Sequence, residues 1–228
     1  MTNLGWLASH HTFSFGSYRD PQQHGFSDLL VINDDRVQPA RGFESHEHQD
    51  MEIFSYVLDG ALEHKDSTGI GSVILPGDVQ IMSAGSGIWH SEFNHSRSDL
   101  VHFLQIWIVP AQLRVKPRYQ QKNFSDTEKR GKLRLIISPD GADGSLSVYQ
   151  DVKVYAGLFD GAEKAALDLD SSRFAYVHIA RGSLSINGKS LAEGDGIRIR
   201  NEKIVAFSEG KDSEILVFDL RPHELPQL

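Results

Sequence analysis

Apolar residues come in short bursts along this chain rather than at helical spacing. "LLVIN", "IFSYVL", "SVILP", "VQIMS", "VHFLQIWIV", "LRLIIS", "FAYVHIA", "SLSIN", "GIRIR" and "EILVFDL" are each alternating or nearly continuous, and Gly, Pro, Asp or Asn separates them. A strand with one covered face alternates in this way, and a strand covered on both faces is apolar almost throughout. Many short strands with turn residues between them predict an all-β protein of the sandwich or barrel class.

The bursts also repeat. "VLDGALEH…LPGDVQIM" in the first half parallels "IARGSLSIN…AEGDGIRI" in the second, aligning Gly60 with Gly182 and Gly77-Asp78 with Gly194-Asp195. Two copies of one β unit are therefore expected. Between them lies "RVKPRYQQKNFSDTEKRGKLR", residues 114–134, with eight basic and two acidic side chains. A charge run that also contains Pro and Gly reads as a solvated connection. The predicted domains are residues 1–125 and 126–228, each long enough to bury a core.

Composition then narrows the chemistry. With no Cys, disulfides, thiolate ligands and a cysteine nucleophile are excluded, so a bound metal must be held by nitrogen and oxygen. The formal charge of −8 argues against a broad nucleic-acid-binding face, which needs Lys and Arg against phosphates. No apolar run is long enough to span a membrane, and "MTNLGWLASHH" does not read as a secretion signal. A soluble, cytoplasmic protein without direct nucleic-acid or membrane contact is expected.

Metal-binding chemistry is suggested by "GFESHEHQDMEI", residues 42–53. A shuffled chain with 11 His in 228 residues would contain roughly half an i,i+2 His pair, so His46 and His48 prove nothing alone. On a strand, however, both imidazoles face one side. "SAGSGIWHSEFN", residues 83–94, adds a second such pair, His90 and Glu92. If the two segments are neighbouring strands, three imidazoles and a carboxylate can meet at one divalent first-row ion. Fe(II) is favoured, with Ni, Mn, Co, Cu and Zn as alternatives.

These segments resemble the cupin superfamily, whose motifs match "HEHQDMEIFSYVLDG" and, through Gly87, His90 and Asn94, "GIWHSEFN". Glu52 follows His48 by four residues where most cupins have five. That departure is characteristic of the pirin family, which the chain resembles further in "HTFSFGSY", "GFSDLLVINDDRV", "EHKDSTG", "PGDVQIMSAGSGIWHSE" and "PRYQ", over nearly all of residues 10 to 120. The resemblance implies a bicupin of two packed, jelly-roll-like cupin β-barrels, with metal only in the N-terminal one. It also implies His46, His48, His90 and Glu92 as the metal ligands.

A pirin resemblance implies a dioxygenase acting on a flavonol-like aromatic substrate and dioxygen; within the ligand set, Glu92 is the residue able to act as catalytic base while the histidines stay ligated. Two other readings stand beside it: a redox-responsive regulator with a protein partner at 114–134, and a catalytically silent cupin with a structural ion. Among the other histidines, His10, His11, His64, His102 and His178 are expected to be structural or superficial, with His11 and His64 the strongest exceptions. Glu52 is read as either an acceptor behind a ligand or an exposed carboxylate. Phe43, Phe54, Trp89, Phe93 and Phe103 are expected in the core or in a pocket wall. In the second half Asp168, Asp170 and Glu209 are expected to be solvated, with Phe207 opposite His90.

Overall fold

The computed structural model describes residues 1–224. Among them the chain divides into two compact units, residues 1–123 and the residues from Phe124 onward. Both are almost entirely β, and in each the sheets are jelly-roll-like instead of closing into the expected barrels.

The first unit comprises β1 (Thr2–Asn3), β2 (Leu7–His11), β3 (Leu29–Val37), β4 (Gly42–His48), β5 (Glu52–Asp59), β6 (Leu62–Asp66), β7 (Gly71–Ile74), β8 (Asp78–Ser83), β9 (Ile88–Asn94), β10 (Val101–Ile108) and β11 (Arg118–Asn123). One sheet has the order β1-β2-β3-β10-β5-β8-β11, and a smaller one the order β4-β9-β6-β7. β11 corrects one expectation. Part of the basic stretch 114–134 is not a solvated connection but an edge strand, paired antiparallel with β8. Its remaining charges are partly matched within the chain: Lys129, buried on the short helix α1 (Asp126–Lys129), faces Asp126 and Glu214, and Arg130 faces Glu163.

The second unit holds β12 (Arg134–Ser138), β13 (Leu146–Ser147), β14 (Val152–Phe159), β15 (Ala165–Asp168), β16 (Phe174–Ile186), β17 (Lys189–Ala192), β18 (Gly196–Ile199) and β19 (Ile204–Leu220). The two units repeat the same turns. Gly60 and Gly182 both have positive φ, and a Cβ on either would meet a carbonyl oxygen, that of Leu100 at 2.5 Å and that of Lys211 at 2.2 Å. Asp78 accepts a bond from the Leu75 amide at 3.1 Å, and Asp195 accepts one from the Ala192 amide at 2.9 Å. Gly and Asp recur because each turn requires a left-handed residue followed by a side-chain acceptor.

The interiors differ. The second unit is filled by a continuous apolar cluster that includes Phe159, Ile179, Ile186, Val205, Phe207 and Ile215. Phe207, the residue aligned with His90, stacks on Phe159 with ring centroids 6.1 Å apart. Asp168, Asp170 and Glu209 are exposed, and no group of potential metal donors occurs in this unit among the described residues. In the first unit two apolar clusters are kept apart. One gathers Leu7, Val37, Val57, Val101 and Phe103, the other Ile53, Met82, Ala84 and Ile88. A row of polar residues in register across six strands runs between them: His11, Asn33, Gln105, Ser55, Gln80 and Gln121.

Candidate metal centre

The small sheet lays its histidines over that polar row. β4 and β9 pair so that His46 lies opposite His90 and His48 opposite Ile88, while β6 puts His64 opposite Glu92. The β4–β9 register shifts between Phe43 and His46. Such a bulge re-aims side chains. It lets Phe43 share the inner face with His46 despite an odd separation, and Phe43 packs edge-on against Trp6 in the apolar cluster.

Donor atoms of His46, His48 and His90 lie within 4.8 Å of one another, and so do those of His64, His90 and Glu92. The four residues expected from sequence therefore share one neighbourhood, with Glu92 joined through His90 and His64 added to it. His64, His90 and Glu92 are buried; His46 and His48 are half-buried and form the outer side.

Hydrogen-bond partners fix where the lone pairs point. The His46 Nδ1 meets the Glu44 carbonyl at 2.7 Å, so Nδ1 carries the proton and Nε2 is bare. The His64 Nε2 meets the Asp66 carboxylate at 3.0 Å and must donate to it. In a neutral ring the His64 Nδ1 is then an acceptor, which requires the proton of His90 on Nδ1, 3.5 Å away. The His90 Nε2 is consequently bare as well, and it lies 3.0 Å from the His46 Nε2. The His48 Nε2 is buried with no hydrogen-bond partner. The His46 and His90 lone pairs thus face each other with the unpartnered His48 Nε2 in the same cluster, an arrangement that a cation among them would satisfy. A spacing of 3.0 Å also suits two nitrogens at right angles on one ion about 2.1 Å from each.

Burial, reinforced by the neighbouring His90 and His46, lowers the pKa of His48 to about 4. Burial with His46 and His64 beside it lowers that of His90 to about 3. Both rings are neutral at neutral pH, the form that binds metal. The donor set fits a metal ion.

Comparison with known proteins agrees with this geometry. Residues 1–108 match the Pirin family model, and residues 135–220 match the quercetinase C-terminal cupin domain. Quercetin 2,3-dioxygenase of Escherichia coli (strain K12) is 44% identical over 220 residues, covering 96% of this chain and 94% of its own. The chain belongs to the pirin family. This pirin also superposes on the crystal structure of YhhW from Escherichia coli with a TM-score of 0.93 and 42% identity, over 99% of this chain and 95% of that one. The bacterial pirin YhhW in complex with nickel(II), from the same organism, gives a TM-score of 0.92 at 42% identity, over 97% and 95% of the two chains. A metal ion is thereby supported for this pirin.

Several residues around the centre escaped the sequence reading. Gln105 donates to one oxygen of Glu92 at 2.6 Å, and the Ser55 hydroxyl lies 3.2 Å from the other. Trp107 sets its ring edge-on to His48, with centroids 4.9 Å apart, and Phe15 lies edge-on to Trp107 at 5.3 Å. Gln105 had a signal, as a polar residue within "VHFLQIWIV"; Trp107 shares its face by strand alternation. Tyr119, from the quoted "PRYQ", packs on His64 with centroids 4.9 Å apart. Glu52 fits neither of its expected roles. It is buried, accepts a bond from Ser83 at 2.8 Å, and alternation puts it on the face opposite Ser55. Trp89 is half-exposed on the outer side of β9.

Proposed function

We propose that this pirin is a metal-dependent dioxygenase that cleaves flavonols of the quercetin type, at an ion held by His46, His48, His90 and Glu92. The observation that carries the reading is the convergence of three imidazoles, with the His46 and His90 Nε2 atoms 3.0 Å apart and the His48 Nε2 buried and unpartnered. The relatives described as a quercetin 2,3-dioxygenase and as a nickel(II) complex support the substrate class and the ion. Fe(II) is the favoured metal, with Ni, Mn, Co, Cu and Zn as alternatives.

A bound ion would supply Lewis-acid activation of the substrate's 3-oxygen. The chain's own residues bind, orient and exclude water. His46 and His48 leave the outer side accessible to a planar ligand, and the pair Trp107 and Phe15 gives that side an apolar flank. Glu92 is the member of the set able to take the 3-hydroxyl proton while the imidazole lone pairs stay committed to the ion. Dioxygen then adds to the activated ring, which opens with loss of carbon monoxide.

Anaerobic titration with quercetin, followed by a pulse of dioxygen, tests the proposal. Spectral binding without oxygen and equimolar carbon monoxide after the pulse are expected. Protein that takes up Fe(II), Ni(II), Mn(II), Co(II) or Cu(II) yet releases no carbon monoxide with any of them would contradict it.

A further inference from the structure

Glu92 would serve as both ligand and proton acceptor, and a carboxylate held by a cation is the weaker base. Its two oxygens, however, lie in unequal surroundings. Oε2 accepts a 2.6 Å hydrogen bond from the Gln105 Nε2, whereas Oε1 has Ser55 Oγ at 3.2 Å. Ser55 has one hydroxyl proton, and its oxygen is closer to the Gln105 Oε1, at 2.9 Å. Only the amide NH2 of Gln105 can face a carboxylate, so its Oε1 is left to compete for the Ser55 proton. Oε1 of Glu92 is the loser in that competition.

The arrangement is fixed by the sheet and protected from water. Ser55 and Gln105 are direct partners across β5 and β10, and Ser55, Glu92 and Gln105 are all buried. In such surroundings a short bond to a charged acceptor is strong, and an oxygen without a full donor is costly to leave unmatched. We propose that Gln105 is a positioning residue that divides the Glu92 carboxylate: Oε2 is anchored to the sheet, and Oε1 is the single oxygen offered to the ion and the substrate proton. Without the amide the carboxylate is free to rotate and to chelate the ion through both oxygens, which closes a position that the substrate needs. The catalytic consequence rests on the dioxygenase reading; the anchoring itself does not.

The test uses the full chain loaded with Co(II), whose visible absorption weakens as its coordination number rises. Gln105→Met keeps the length of the side chain and removes both amide atoms. It is expected to retain the metal and weaken the visible band at least about twofold as the second oxygen binds. The kcat/KM for quercetin should fall about tenfold, with a raised KM, because the second carboxylate oxygen occupies the position that the substrate takes. Ser55→Ala should change either quantity less than about twofold, because the serine proton already favours Gln105. Should Gln105→Met fail to fold, Gln105→Asn, whose amide falls one methylene short, should show the same spectral change in weaker form. A Co(II) spectrum identical to that of the unaltered protein in a folded Gln105 variant would overturn the proposal. Unaltered protein with no flavonol turnover would refute the dioxygenase reading while leaving the spectral comparison decisive for the anchor.

Discussion

A proton on the wrong nitrogen of one imidazole would close this site. The bare His90 Nε2 depends on His64, and His64 in turn on Asp66, through contacts of 3.5 and 3.0 Å. His64→Ala or Asp66→Ala should therefore lower metal affinity by about 10- to 100-fold, as loss of an orienting partner does, measured by competition with a chelating dye. Unchanged affinity in both variants would contradict the tautomer assignment. A second residue-scale effect concerns pH in the metal-free protein. His48 and His90 remain neutral down to about 4 and 3, while the unfolded chain takes up protons near 6.5. The unfolded state then binds more protons, so these two lower stability progressively as pH falls from 6.5. Asp35 has the opposite sign. Burial raises its pKa from 3.8 to about 7, with Glu92 and Asp34 adding to the rise, and its contribution is lost as pH increases through 7. Asp35→Asn is expected to raise the melting temperature at pH 8, where a buried charge disappears, and to change it little at pH 5. Equal shifts at both pH values would show that Asp35 is not protonated in the fold.

Among the elements, the turns were more legible than the partners. Gly60 and Gly182 stand out in the sequence repeat, and both prove to be left-handed residues against a carbonyl. Alanine at either should destabilise the protein by at least about 1 kcal/mol, because strained φ adds to collision with backbone. Gly69→Ala also strains φ but meets nothing within 4 Å, so it should cost less. Urea melts of the three variants check the order; an equal loss at Gly69 would remove the close approach as the cause. The alternation that put His46 and His48 on one face held because it is local to β4. The bulge beside Phe43 was not readable, since a register shift exists only relative to β9. β11 was hidden for a related reason: "RYQQKN" lacks an apolar face and gains its strand from pairing with β8. Ser55 and Gln105 could be read as polar residues in apolar runs, but their common partner Glu92 required the sheets to be stacked.

For the whole molecule, one fold is used twice with different fillings. The second unit spends its interior on Phe159, Phe207 and their neighbours, while the first keeps a polar row between two apolar clusters and sets the histidines over it. The repeat and the two units were visible in the spacing of glycines; the filled interior was foreshadowed only by Phe207 standing opposite His90. Metal should accordingly stabilise one unit. Hydrogen exchange with and without the ion is expected to show slower exchange in β4 and β9 and no change in β14, β16 and β19. Protection spread evenly over both units would contradict a site confined to the first. The most direct test of the central claim is to measure metal content and carbon monoxide yield from quercetin in the same preparation, for the unaltered protein and for the double variant His46→Ala/His48→Ala. One ion per chain with oxygen-dependent carbon monoxide is expected in the first, and loss of both in a folded second. Full metal content, or undiminished carbon monoxide, in the double variant would contradict it.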